Sequence, residues 1–248
     1  FFGYLVTKGV NKSISKGASG VWNTKETVYG DNSSIVTTGK FLNGSKAIGA
    51  GGFVGHAKGS FWINEPNWGE HAAIGISTLT VNNKADGFEA KEEKTVGTGG
   101  LLGLFENANS CSIYAVALSS SVSLAGAYNV GGLIGRNHDS SGKAPNIIDS
   151  VRVDSVELSA RQECLGGFVG CIYKSGPLRI SNSTVAGVVF NSKNSGAVVG
   201  YSATGDVETS ITNCRFENNS ISGTVSGSLV GFLSGNLFGT NVLIGANA

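Results

Sequence analysis

A five-residue unit of glycine, small residue, two apolar residues and glycine recurs six times along this 248-residue chain. It reads Gly51-Gly52-Phe53-Val54-Gly55, Gly99-Gly100-Leu101-Leu102-Gly103, Gly131-Gly132-Leu133-Ile134-Gly135 and Gly166-Gly167-Phe168-Val169-Gly170. Two softened copies follow, Gly196-Ala197-Val198-Val199-Gly200 and Gly227-Ser228-Leu229-Val230-Gly231. Successive copies start 48, 32, 35, 30 and 31 residues apart. Self-similarity at such a period belongs to solenoids and arrays, where one short unit is stacked many times.

The segments between the motifs align as well. Ile148, Val153, Val156 and Leu158 match Ile180, Val185, Val188 and Phe190 in spacing, and Ile211, Phe216, Asn219 and Ile221 follow in the next copy. Val151, Val153, Val156 and Leu158 show the two-residue period of half-buried strands, and no segment holds a capped 3.6-residue pattern. A short strand with one apolar face is unstable alone, but stacked copies cover one another and pair their backbones between coils. The expected fold is therefore all-β, a β-solenoid (parallel β-helix) of about eight coils with a period near 31 residues. The pairs Gly51/Gly52, Gly99/Gly100, Gly131/Gly132 and Gly166/Gly167, with Gly196 and Gly227, are read as corners where a Cβ would clash with the coils above and below. A β-propeller is the main rival, but this period is short for most blades.

Residues 1–50 are expected to form divergent N-terminal coils and a cap, 51–232 the repeat solenoid, and 233–248 an edge coil. The 48-residue repeat is longer than its neighbours, and its excess is assigned to a loop insertion within 61–94, in Phe61 to His71 and Asn82 to Lys94. The opening Phe1-Phe2-Gly3-Tyr4-Leu5-Val6 lacks an initiator methionine, so a leader was removed or the chain is a piece of something longer. It reads as a first strand, or as an apolar strand that pairs with a neighbouring subunit.

Composition narrows the functional classes. Charged residues make up 14% of the chain and the formal net charge is +1, which gives no strong pull toward nucleic acid or an anionic membrane. No apolar run approaches the roughly 20 residues of a transmembrane helix. Cys111, Cys164, Cys171 and Cys214 form no CxxC pair; Cys164 and Cys171 flank one Gly-Gly corner and either bridge locally or act as small buried hydrophobes. Asn11, Asn32, Asn43, Asn182 and Asn218 open Asn-x-Ser/Thr sites, which become glycan acceptors on a eukaryotic secretory route. A weakly charged polar surface suits an extracellular protein.

The repeated glycine-glycine-apolar-apolar-glycine unit resembles the GLUG motif of large secreted or surface proteins and similar repeats of protist surface proteins. Cys214-Arg215-Phe216-Glu217-Asn218-Asn219, followed by Gly227-Ser228-Leu229-Val230, also resembles the FxxN and GGA(I/L) repeats of bacterial polymorphic outer-membrane proteins. The likeness covers residues 49 to 232. It implies a β-solenoid displayed outside the cell as a stalk, adhesin or surface-layer component.

Candidate chemistry concentrates in Trp62, Asn64, Glu65, Trp68, Glu70 and His71, where aromatic platforms, amides and carboxylates could hold a sugar. Paired carboxylates at a suitable separation could also hydrolyse one. Against this stands a loop whose tryptophans anchor it to the solenoid. Asp139, Asp149, Asp154 and Asp206 are scattered, and His56, His71 and His138 lack metal-ligand spacing, so neither a metal, a cofactor nor a catalytic group is expected. The leading expectation is a secreted structural subunit of a filament, appendage or surface coat, self-assembling head to tail. Phe1, Phe2, Tyr4, Leu5, Leu237, Phe238, Val242 and Leu243 are the expected assembly contacts. A glycan-binding adhesin is the alternative, and a polysaccharide-active enzyme the next.

Overall fold

A computed structural model describes residues 2–6, 27–29, 33–37, 48–58, 61–64, 74–83, 96–106, 111–138 and 145–245. They form a β-solenoid in which every inter-coil pairing is parallel. The corner strands define the stack. Ile48–Gly51, Val96–Gly99, Val130–Gly131, Cys164–Gly166, Asn194–Gly196 and Val225–Gly227 make one six-stranded sheet in strict chain order. Below the first of these levels, Phe2–Val6 pairs with Val54–Lys58, and Thr27–Tyr29 and Ser33–Thr37 pair with Ile74–Asn83.

The described levels are fewer than the eight coils expected, because the early coils are long. Phe2 pairs with Val54 and Val54 with Leu102, steps of 52 and 48 residues, before the spacing settles near 32. The insertion is also narrower than expected. Phe61–Ile63 is a solenoid strand in register with Cys111–Ile113, and Asn82 and Asn83 belong to the strand Ile74–Asn83. Pairing with the next coil outweighs the polar composition there, and the remaining excess lies outside the described residues.

The corner glycines are required by proximity. A Cβ on Gly166 would sit 1.9 Å from Val169 O, and one on Gly167 2.1 Å from Ala197 O in the next coil. Gly51, Gly99 and Gly131 meet the same carbonyl three residues on, at 2.1–2.3 Å. The chain doubles back so tightly that backbone fills the space a side chain needs. Positive φ recurs in two columns, besides single positions such as Asn64 and Asn129. Ala115, Ser150, Asn182, Asn213 and Asn241 stack with φ of 50–56°, and Ser155, Gly187 and Asn218 stack with φ of 54–64°. Asn and Gly are the residues that tolerate this conformation best.

The apolar pair behind each corner fills the interior. Phe53, Val54, Leu101, Leu102, Leu133, Ile134, Phe168, Val169, Val198 and Val199 are each 0–2% exposed and join one continuous core. The aligned columns hold too: Ile148 is in register with Ile180 and Ile211, Val153 with Val185 and Phe216, and Phe190 with Ile221. Asn219 sits in this apolar region yet is satisfied at both ends, accepting from Val188 N–H at 3.0 Å and donating to Val185 O at 3.1 Å. Such pairing offsets the cost of burying an amide.

Candidate functional site

The corner geometry builds a cleft. Two residues before each Gly-Gly pair, one position recurs on the corner strand: Gly49, Gly97, Asn129, Cys164, Asn194 and Val225. Directly after the last motif glycine, a second recurs on the following strand: His56, Leu104, Arg136, Cys171, Tyr201 and Phe232. The first column aims at the second. A Cβ on Gly97 would lie 2.1 Å from Gly103 O and 2.9 Å from Arg136 N. Where larger residues replace glycine, a cavity of about 320 Å³ runs across three coils. Its walls present Asn129 with Arg136, then Cys164 with Cys171, then Asn194 with Tyr201.

Several contacts fix these side chains. Asn129, in the left-handed region at φ 51°, donates from its amide to Val96 O at 2.7 Å. Arg136 is only 1% exposed, and its guanidinium carbon lies 5.6 Å from the Tyr173 ring centre. Lys174 reaches the same ring at 5.7 Å, and His138 stacks on it at 5.5 Å. Such cation–ring contacts are favourable where the charge is drawn out of water. Tyr201 stacks on Phe232 of the outermost coil at 4.6 Å and 12°. At the rim, Lys193 pairs with Glu163 at 2.7 Å, joining two coils.

The electrostatics disfavour thiolates. Cys164 is raised well above the ordinary thiol range by a hydrogen bond with the Cys171 thiol, and then by burial. Asn194 partly opposes this by donating to the Cys164 sulfur at 3.8 Å. Burial, followed by the neighbouring Cys171 and Cys164, raises the Tyr201 phenol. Cys111 and Cys214 lie elsewhere in the core, and burial raises both.

Of the residues singled out from sequence, Cys164 and Cys171 line this cleft, and the other described ones do not. Glu65, Trp68, Glu70 and His71 lie outside the described residues, as do Phe1, Asn11, Asn32 and Asn43. Trp62 lies in the strand Phe61–Ile63, and Phe2, Tyr4 and Leu5 lie in Phe2–Val6. Asn64 is buried at φ 54° with its amide donating to Tyr114 O at 3.2 Å, so it closes a turn onto the next coil. Asn182 and Asn218 occupy exposed left-handed turns. Asp149 and Asp154 do not converge: Asp149 accepts from Ser150 and Asn182, and Asp154 pairs with Arg152 and accepts from Ser155. No group of three or more His, Cys, Asp or Glu side chains suited to a metal ion occurs among the described residues. The cleft itself was readable as two columns at fixed offsets from the glycine motif.

Compared with known protein families, characterised proteins and solved structures, the chain matches none.

Proposed function

We propose that this protein is a structural subunit acting outside the cell, a β-solenoid that assembles end to end with copies of itself and performs no turnover. One observation carries the reading: among the described residues, the last coil is built like the others but has no coil over it. Val225–Gly227 and Val230–Ile244 each pair with one neighbouring strand, so among the described residues their outer edge has no partner. Six of the seven large apolar side chains exposed among the described residues lie there: Val225, Phe232, Leu237, Phe238, Leu243 and Ile244. Val242, by contrast, is half-buried against the core. An open strand edge beside exposed apolar groups is a template for another strand layer. A second copy stacked there extends both the ladder and the core in a heterologous, fibre-forming contact. No helix among the described residues is long and apolar enough to cross a membrane.

Negative-stain electron microscopy and sedimentation velocity over a concentration series test the reading. The expected result is rods that lengthen with concentration, and a Phe238→Lys/Leu243→Lys variant that stays a folded single subunit. Monodisperse short rods at every concentration would overturn it.

A further inference from the structure

We propose that Cys164 and Cys171 form an oxidisable dithiol that closes into a disulfide across the Gly166-Gly167 corner. The inference is independent of the assembly reading and rests on how the corner brings two columns together. Cys164 is the corner-strand residue whose position points at the opposite arm, and Cys171 is its counterpart on that arm in the same coil. The arms are close: a Cβ on Gly200, one level up, would lie 2.6 Å from Leu165 N, and one on Gly170 2.7 Å from Val130 N one level down. The two sulfurs line one cavity and are hydrogen-bonded to each other. Disulfides require two sulfurs held side by side, and these two share one cavity within one coil. Cys111 and Cys214 stand on other strands and line no part of the cleft.

The oxidant is a small-molecule disulfide, RSSR. One cysteine thiolate attacks a sulfur of RSSR, giving a protein–SR mixed disulfide and expelling RS⁻. The second thiolate then attacks the protein sulfur of that intermediate, forming the Cys164–Cys171 bond and expelling the second RS⁻. The two thiol protons end on the two RS⁻ groups, so two protein thiols are oxidised and one RSSR becomes two RSH. Because the hydrogen bond with Cys171, and then burial, raise the Cys164 thiol, the exchange is slow in the folded protein and quickens as pH rises. The bond encloses a short loop, so its main effect is to fix the separation of the arms. That sets the width of the cleft between the Asn129–Arg136 level and the Asn194–Tyr201 level.

The test is refolding of the full chain from denaturant in a reduced and oxidised glutathione buffer, where access to buried sulfur limits nothing. Thiol titration, intact mass and non-reducing peptide mapping then follow. The expected result is a loss of two of the four thiols, a mass lower by two hydrogens, and a peptide joining Cys164 to Cys171. A Cys111→Ala/Cys214→Ala variant keeps the crosslink, and Cys164→Ser abolishes it. Retention of all four thiols in folded protein, a crosslink through Cys111 or Cys214, or persistent glutathione adducts on both cleft cysteines would each overturn the proposal. Circular dichroism of every refolded sample separates these results from misfolding.

Discussion

The coil from Cys164 to Asn191 and the coil from Val225 to Ile244 carry the same motif and have opposite fates. In the first, Phe168 and Val169 are 0% and 1% exposed; in the second, Leu229 and Val230 at the same positions are only half-buried. The inner coil has a partner on both sides, through Val130–Gly131 and Asn194–Gly196, whereas the outer coil has one. Burial here is thus conferred by the neighbouring coil. Stability in such an array is a sum of coil and interface contributions, and an outer coil lacks one interface.

Mutations in the two coils sharpen the contrast. Gly167→Ala forces a Cβ against the fixed Ala197 carbonyl and should cost about 3 kcal/mol or more, or abolish folding. Gly239→Ala in the outer coil meets only Val242 Cγ2 at 3.4 Å and should stay within about 0.5 kcal/mol. Denaturant unfolding of both variants checks the pair, and equal losses would break the comparison. Phe168→Ala should cost about 3–5 kcal/mol, while Leu229→Ala, half-buried, should cost about 1 kcal/mol. If copies stack, the cost of Leu229→Ala should rise with protein concentration.

Polar positions test the same contrast. Asn219→Ala leaves Val188 N–H without its acceptor and removes the side-chain bond to Val185 O in the core, and should cost about 2–3 kcal/mol. Asn241→Ala removes a surface rung and should cost about 1 kcal/mol, chiefly from placing alanine at positive φ. A further small effect concerns pH. The hydrogen bond from Arg152 holds the Asp154 carboxyl below its ordinary value. Its contribution is therefore present above the unfolded pKa and fades as pH falls through the lower folded value. The pair is largely solvent-exposed, so Asp154→Asn should remove under about 1 kcal/mol near neutral pH and flatten the acid limb of the stability profile.

The corners, the interior columns and the parallel class were legible in the sequence because each rests on a short repeated spacing. The length of the early coils was not. There the strands Phe61–Ile63 and Ile74–Asn83 are recruited by pairing with Cys111–Tyr114 and Val116–Gly126, and local composition does not encode that. The cleft is marked in the sequence only by position, because its residues differ chemically from coil to coil. Asn129, Cys164 and Asn194 share only a position, and so do Arg136, Cys171 and Tyr201. Asn64 attracted a ligand-binding reading through its aromatic and acidic neighbours, whereas the conformation of its own backbone decides what its amide does.

Along one edge, Asn241 donates to Asn213 Oδ1 at 2.8 Å, Asn213 to Asn182 Oδ1 at 3.4 Å, and Asn182 to Asp149 Oδ1 at 3.0 Å. All three amides point the same way. Backbone bonds between parallel strands run alternately up and down the stack and largely cancel, but this side-chain row does not. The stack is therefore vectorial over these coils, with the Asp149 carboxylate closing the row on an inner coil and the Asn241 amide oxygen opening it on the outermost described one.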